Sequence, residues 1–451
     1  MKKIKPIYLI LLTFSFFIIL HSFLKFHFIL WDEAVYIGIG KYIYSLGKFG
    51  LWEDIRPLGL PLLISFLWVL GLKEIVFIDL LIILPFSLGT IYLVYLIGKK
   101  LFNENIALLS SLLLAITPVF FYNTFKILTE IPSSFFALLA IYFFLKKKFS
   151  LSGIFSGISF MFKFPQGLLL FIFLIILFFE EKKFLKIRNL LIFFLIPVIP
   201  FLIFNQIVYG NFLYTFIRAL KHQSSPIYIV KNPLLNLFYY PIYLFSENLI
   251  LIFFLFSLIK WKKIKIHIPL IFLSFLLYFT LIQNKQLRFS LLFLPYLALL
   301  SSYGFFWFFE RIRKSRTLIF FFLIFTFLSF SLSIYFDFHQ FHRFPVKEPE
   351  IVSEYYKFFP KNSVILSSDP VFVAYSDIKL LPYYNSIYTA EELYESYKDQ
   401  AQFIAYNGNS FPCTNPECER LKEEFFNKIK RENELIFSKK YEETKYIFKI
   451  K

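Results

Sequence analysis

The chain has 451 residues, of which 58% are hydrophobic and 22% aromatic, with 67 Phe and a mean hydropathy of +0.65. A water-soluble core cannot hide that much apolar surface, so lipid is the solvent for most of it. The formal net charge of +18 would suit a nucleic-acid partner, but a membrane protein also gathers Lys and Arg in its cytoplasmic loops, and their placement here favours the second reading. The two cysteines, Cys413 and Cys418, exclude a disulfide scaffold, a Cys-rich zinc site and an iron–sulfur or haem site.

The first element is an apolar run behind Lys2, Lys3 and Lys5, with no small-x-small cleavage site before Trp31. It reads as an uncleaved first span. Apolar runs that reach or approach the roughly 30 Å of a hydrocarbon core then recur. They lie at about 7–28, 75–97, 105–121, 131–145, 149–164, 166–180, 189–209, 238–259, 266–282, 289–309 and 317–336. The piece from Leu58 to Leu72 reaches only about 22 Å at 1.5 Å per residue. It is expected to be a juxtamembrane or re-entrant helix.

Basic clusters stand at Lys2/Lys3/Lys5, Lys99/Lys100, Lys146–Lys148, Lys182–Arg188, Lys260–Lys265 and Arg311–Arg316. The positive-inside rule makes each cytoplasmic. From Lys99 onward, neighbouring clusters are separated by two candidate spans, as that rule demands. The expectation is therefore eleven transmembrane helices with the N-terminus inside. Asp32, Glu33, Arg56, Glu130, Lys163, Arg288 and everything after about Tyr335 then lie outside.

From about Phe344 the composition becomes an ordinary mixture of polar and apolar residues. Strands are expected at Val364–Ser367, Gln402–Tyr406 and Tyr446–Phe448, alternating with helices at about 350–359, 390–399 and 417–431. The expected fold is thus a polytopic α-helical membrane protein with a small C-terminal extracytoplasmic α/β domain. Residues 1–343 form the membrane domain, with a first external loop at 29–74, and residues 344–451 form the α/β domain. Cys413 and Cys418 share one loop, and their spacing permits a disulfide without requiring it. The external loop from Gly210 to Tyr240, with His222 and Gln223, has the length of a lid or substrate gate.

Charged residues beside the ends of apolar helices are costly unless something uses them, so the outer face is where chemistry is expected. Asp32 and Glu33 open a helix that runs through Tyr36. Adjacent side chains diverge there by about 100°, so one carboxylate acts and the other supports it. The bland reading of the pair is a helix N-terminus favoured by the dipole. Glu130, in Leu128-Thr129-Glu130-Ile131-Pro132, reads blandly as a cap. Arg56, Lys163 and Arg288 read blandly as snorkelling anchors. Snorkelling explains one external cation more easily than several. Converging carboxylates and cations suit a general base for an acceptor together with a clamp for a departing phosphate.

These motifs carry a resemblance. The Asp32-Glu33 pair, the run Arg56-Pro57-Leu58-Gly59-Leu60-Pro61, Leu128-Thr129-Glu130-Ile131-Pro132 and Arg288-Phe289-x5-Pro295 resemble the GT-C membrane glycosyltransferases. Among these the chain is most similar to the dolichyl-phosphate-mannose protein mannosyltransferase and lipid A aminoarabinose transferase group. The resemblance covers the first 340 residues loosely and about 30–60 and 120–170 best. It implies an inverting transfer of a sugar from a polyprenyl phosphate to a protein, lipid or glycan acceptor at the outer face of the cell membrane. Asp32 would be the catalytic base with Glu33 in support. Glu130 would contact sugar or acceptor, Lys163 and Arg288 would bind the donor phosphate, and Arg56 and Tyr36 would line the substrate site. Mannosyltransferases tend to carry His-Pro-Pro where this chain has Arg56-Pro57-Leu58.

No cofactor is required, and with cations available for the phosphate a divalent metal is unnecessary. No nucleotide-binding loop or Gly-x-Ser-x-Gly elbow is present, and His339 and His342 lack a third metal ligand nearby. The alternative is a polytopic transporter or lipid flippase, which would place its charges near the midplane.

Overall fold

The computed structural model describes residues 6–23, 29–181, 183–223, 233–259, 266–311, 348–383, 386–411, 413, 415–441 and 443–451, with residues 320, 324, 328 and 331 singly. The expected span at 317–336 otherwise lies outside the described residues. So do Lys2, Lys3, Lys5, Lys182, the cluster at 260–265, Arg313–Arg316, His339, His342 and residues 224–232 of the loop expected between Gly210 and Tyr240, whose described parts are largely helical, at Tyr214–Gln223 and from Pro233 onward.

Among the described residues, Ile75–Leu101 and Lys183–Tyr209 are helices long and apolar enough to cross a bilayer. Shorter apolar helices include Glu104–Ile116, Glu130–Leu145, Phe149–Phe162, Phe164–Phe178, Leu249–Ile259 and His267–Leu281. Among the expected runs that are interrupted, two break for a plain local reason. The run at 105–121 breaks at Thr117, held extended with ψ 122° by the ring of Pro118. The run at 238–259 breaks at Asn248, whose side chain caps the next turn by accepting from the Ile250 N–H at 3.2 Å.

The chain packs as two compact units. The first comprises Met1–Phe26, Ile55–Gly59 and Ile75–Phe344, and the second His27–Asp54, Leu60–Glu74 and Pro345–Lys451. The sequence suggested a boundary near residue 344 with the loop at 29–74 on the membrane side. Instead most of that loop packs with the C-terminal residues, because Lys41, Gly38 and Gly50 make close contacts there. The piece expected at Leu58–Leu72 is the helix Gly59–Val69. Its Pro61 and Ile64 lie against Gly40 of the Trp31–Tyr44 helix.

Within the first unit, the helices Glu130–Leu145 and Phe149–Phe162 form a hairpin whose turn holds Lys146–Lys148. The second arm packs closely on Lys183–Tyr209, since a Cβ at Gly153 or Gly157 would lie 2.4 Å from the carbonyl oxygens of Leu190 and Phe194 respectively. Small residues four apart let two helix backbones approach in this way.

The second unit holds a five-stranded mixed sheet of β1 Val364–Ser367, β2 Lys379–Pro382, β3 Phe403–Asn407, β4 Glu434–Lys440 and β5 Thr444–Lys449. Its order is β2-β1-β3-β5-β4. Strands β1, β2 and β3 run parallel, while β5 is antiparallel to both β3 and β4. Ile387–Tyr397 and Pro416–Glu432 are the long helices packed with it. Their Ile387, Ala390, Phe425 and Ile429 join Leu366, Ile404 and Phe448 of the strands in one core. Cys413 and Cys418 are joined in a disulfide, just before and within the first turn of the Pro416–Glu432 helix.

Gly157→Leu should force the hairpin off Lys183–Tyr209 and destabilise the first unit by about 1–3 kcal/mol, the usual penalty of overpacking. A fall in the thermal midpoint of the detergent-solubilised protein is the expected outcome, with Leu169→Met at an apolar buried position as a nearly neutral control.

Candidate active site

Three of the sequence-selected charges meet at one carboxylate. Glu130 opens the Glu130–Leu145 helix and is 1% exposed. Its Oε1 lies 2.7 Å from Lys163 Nζ and 3.6 Å from Arg288 Nε. Hairpin geometry explains the first pair. The arms Glu130–Leu145 and Phe149–Phe162 are of similar length, so the residue opening one and the residue just past the other return to the same level. Lys163 itself is extended, with φ −154° and ψ 111°, between Phe149–Phe162 and the 3₁₀ turn Phe164–Gln166.

Arg288 arrives on a second 3₁₀ turn, Leu287–Leu292. Ser134 Oγ ties that turn to the Glu130 helix by donating to the Leu291 carbonyl at 2.9 Å. Arg288 Nε also donates to Gln286 Oε1 at 2.6 Å, which orients the guanidinium. Phe289 stands beside both cations, with its ring centroid 4.9 Å from Lys163 Nζ and 5.6 Å from Arg288 Cζ. Cations over an aromatic face gain from the ring quadrupole, the more so where water is scarce.

A set of neutral polar residues that the sequence reading missed supports this cluster. Ser159 Oγ donates to the Ser133 carbonyl at 2.7 Å, and Gln166 Nε2 approaches Ser133 Oγ at 3.4 Å. The signal was present as polar side chains at helical spacing inside apolar spans. It is weak, because Ser and Gln in such helices most often bond to nearby backbone. Glu130 Oε2, Gln166 Oε1 and Ser290 Oγ are buried and make no hydrogen bond among the described residues. Buried polar atoms of this kind are rare in folded proteins and call for a partner. A second missed residue is Asp79, the first residue of a π-helical turn, Asp79–Ile83, within Ile75–Leu101. A carboxylate there and a π-bulge are each features that gather at functional positions.

The other sequence-selected residues are distributed as follows. Arg56 is half-buried in Ile55–Gly59 of the first unit. A Cβ on Gly59 would stand 2.7 Å from Phe162 and 2.8 Å from the Met161 carbonyl, so this segment abuts the end of the helix leading into Lys163. Asp32, Glu33 and Tyr36 belong to the second unit. Glu33, 1% exposed, accepts the Leu30 N–H on Oε2 at 3.0 Å. That is the cap a Glu in the third helical position makes. Asp32 is half-buried, and Tyr36 is 3% exposed.

Residues 56–204 match the family model of dolichyl-phosphate-mannose-protein mannosyltransferase. This stretch contains Arg56, Glu130 and Lys163, and so two of the three members of the charge cluster. ArnT from Cupriavidus metallidurans bound to undecaprenyl phosphate superposes with a TM-score of 0.66 over 98% of this chain and 97% of its own, at 9% identity. The chain has the fold of ArnT over nearly its full length. Apo ArnT from the same organism gives 0.65 at 10% identity over 97% of both chains. The Archaeoglobus fulgidus oligosaccharyltransferase AglB, in complex with an inhibitory peptide and a dolichol-phosphate, gives 0.57 at 13% identity. That match covers 89% of this chain and 70% of AglB. No curated protein matches the sequence. The ArnT-like fold takes in both the helical part and the mixed sheet.

If Glu130 holds the two cations in place, Glu130→Gln and Lys163→Gln should be non-additive. A double-mutant cycle on thermal unfolding should return a coupling above about 0.5 kcal/mol, as expected for residues sharing one network. Additive effects would mean that the pair seen here contributes nothing measurable.

Proposed function

We propose that the protein is a glycosyltransferase that moves a sugar from a polyprenyl phosphate to an acceptor hydroxyl or amine at the outer face of the membrane, with inversion at the anomeric carbon. The carrying observation is the buried Glu130–Lys163–Arg288 cluster, where two cations from separate turns are held at one carboxylate. Two fixed cations suit a phosphate ester whose negative charge grows as its bond to the sugar breaks. Glu130 serves here as the anchor that orients the cations, with its second oxygen left for a sugar or acceptor group.

In the step itself, the acceptor O–H or N–H proton passes to the Asp32 carboxylate as the acceptor atom bonds to the anomeric carbon. The bond from that carbon to the phosphate oxygen breaks, and polyprenyl phosphate departs toward Lys163 and Arg288. Arg56 helps to hold the donor. Supporting the lipid-linked donor are the family match and the lipid phosphates named with ArnT and AglB. The Cys413–Cys418 disulfide supports an extracytoplasmic C-terminal domain, since such bonds persist in oxidising surroundings.

With purified enzyme and a panel of polyprenyl-phosphate sugars, release of free lipid phosphate should fall by about 10²–10⁴-fold in kcat for Asp32→Asn, the usual share of a general base. Lys163→Gln and Arg288→Gln should each raise the donor KM by about tenfold or more, the loss expected for a hydrogen bond to a charged group. Full kcat in Asp32→Asn, or unchanged donor KM in both cation variants, would contradict these roles.

A further inference from the structure

The Trp31–Tyr44 helix carries Asp32 at one end and is fastened along its length to the C-terminal residues of the same unit. At its start, the Ile29 N–H donates to the Tyr375 hydroxyl at 3.3 Å. In the middle, Gly38 lets the backbone come so close that a Cβ there would lie 2.6 Å from Val373 Cγ2. Near its end, Lys41 Nζ donates to the Ser376 carbonyl at 3.1 Å and to Asp377 Oδ1 at 3.3 Å. Beyond the helix, the Gly50 N–H donates to the Ile378 carbonyl at 2.7 Å, and Gly50 accepts from the Leu380 N–H at 2.9 Å. Gly50 thereby covers part of the free edge of β2, and its φ of +97° is one that glycine adopts without strain.

The segment that receives these contacts is itself braced by the sheet. Asp369 Oδ1 accepts the Val371 N–H at 2.9 Å, and Asp369 Oδ2 accepts the Tyr356 hydroxyl at 3.0 Å and faces Lys445 Nζ at 3.6 Å. Ser376 Oγ donates to the Tyr356 carbonyl at 2.6 Å. Lys41 is 8% exposed, and burial pushes its ammonium below the ordinary lysine range while Asp377 opposes the shift. A buried ammonium is a costly way to gain stability, and an apolar replacement is often no worse. Its use here is geometric, because two acceptors on one short segment fix both the register and the rotation of the helix.

We propose that the C-terminal α/β domain is the mount of the carboxylate helix, and that Lys41 is a positioning residue acting on sugar transfer through Asp32 without touching substrate. The proposal rests on the assignment of Asp32 as base. It gives the C-terminal domain a part in the chemical step, where the fold alone would allow it to be an appendage.

The test uses the full-length enzyme and compares Lys41→Met and Asp377→Asn with wild type and Asp32→Asn. Steady-state kinetics are read beside amide hydrogen exchange over residues 31–44. Lys41→Met should lower kcat by about 10–100-fold, the scale of a displacement near 1 Å, with the donor KM within about twofold. Exchange should quicken in residues 31–44 and stay unchanged in the Glu130–Leu145 helix. Asp377→Asn, at a half-exposed position that folding tolerates, should move both readouts the same way by less. Wild-type kcat in Lys41→Met and Asp377→Asn with an inactive Asp32→Asn would overturn the mount alone. Full activity in Asp32→Asn would overturn the base assignment and, with it, any role of Lys41 exercised through that residue.

Discussion

A carboxylate 1% exposed at the first turn of an apolar helix stays ionised only if cations face it, because the surroundings offer no water to solvate it. Glu130 satisfies that condition with Lys163 and Arg288, and much of the first unit is arranged to deliver them. A helical hairpin returns Lys163 to the level of Glu130. A 3₁₀ turn tied down by Ser134 brings Arg288 from more than a hundred residues away in sequence. An apolar substitute for such a cluster would often be as stable or more so, by about 1–4 kcal/mol. Under the proposed function, such a cluster is kept because its fixed cations can meet a phosphate in a setting of low dielectric, where charges interact most strongly.

The second unit solves a different problem. The helix bearing Asp32 follows on an apolar run, and nearby in sequence it packs on the Gly59–Val69 helix. Its remaining contacts come from residues some 330 positions later, through Lys41, Gly38 and the following Gly50. The mixed sheet supplies the rigidity, with the Asp369, Tyr356 and Lys445 network bracing the segment that does the holding. Sites held on regular elements and packed against a sheet keep their geometry better than sites on free loops.

The sequence made the first arrangement readable because it depends on one-dimensional facts. Apolar run lengths and the spacing of Lys146–Lys148 put Glu130 and Lys163 at one end of a hairpin, whereas Arg288, expected to open a span, stands on a 3₁₀ turn ahead of the Leu294–Arg311 helix. Three expected strands and the main helices of the C-terminal domain were readable from their periodicity. Strand β4 was hidden because most of its residues are exposed and several are charged, as edge strands commonly are. Strand β2 is four residues long and ends in Pro382, too short for a period to register. The role of Glu33 was obscured because Leu30 stands at the N-cap in place of the usual Ser or Thr, which removes half of the capping signature. The grouping of residues 27–54 with the C-terminal domain rests on contacts between distant residues, and local patterning carries no information about those.

The measurement that tests the account most directly is an experimental structure of the full chain with a polyprenyl phosphate bound. The account predicts the phosphate within hydrogen-bonding reach, about 3 Å, of both Lys163 Nζ and the Arg288 guanidinium, with Glu130 still holding the two cations. A phosphate bound away from both residues, with the Glu130 cluster closed over and unchanged, would contradict it.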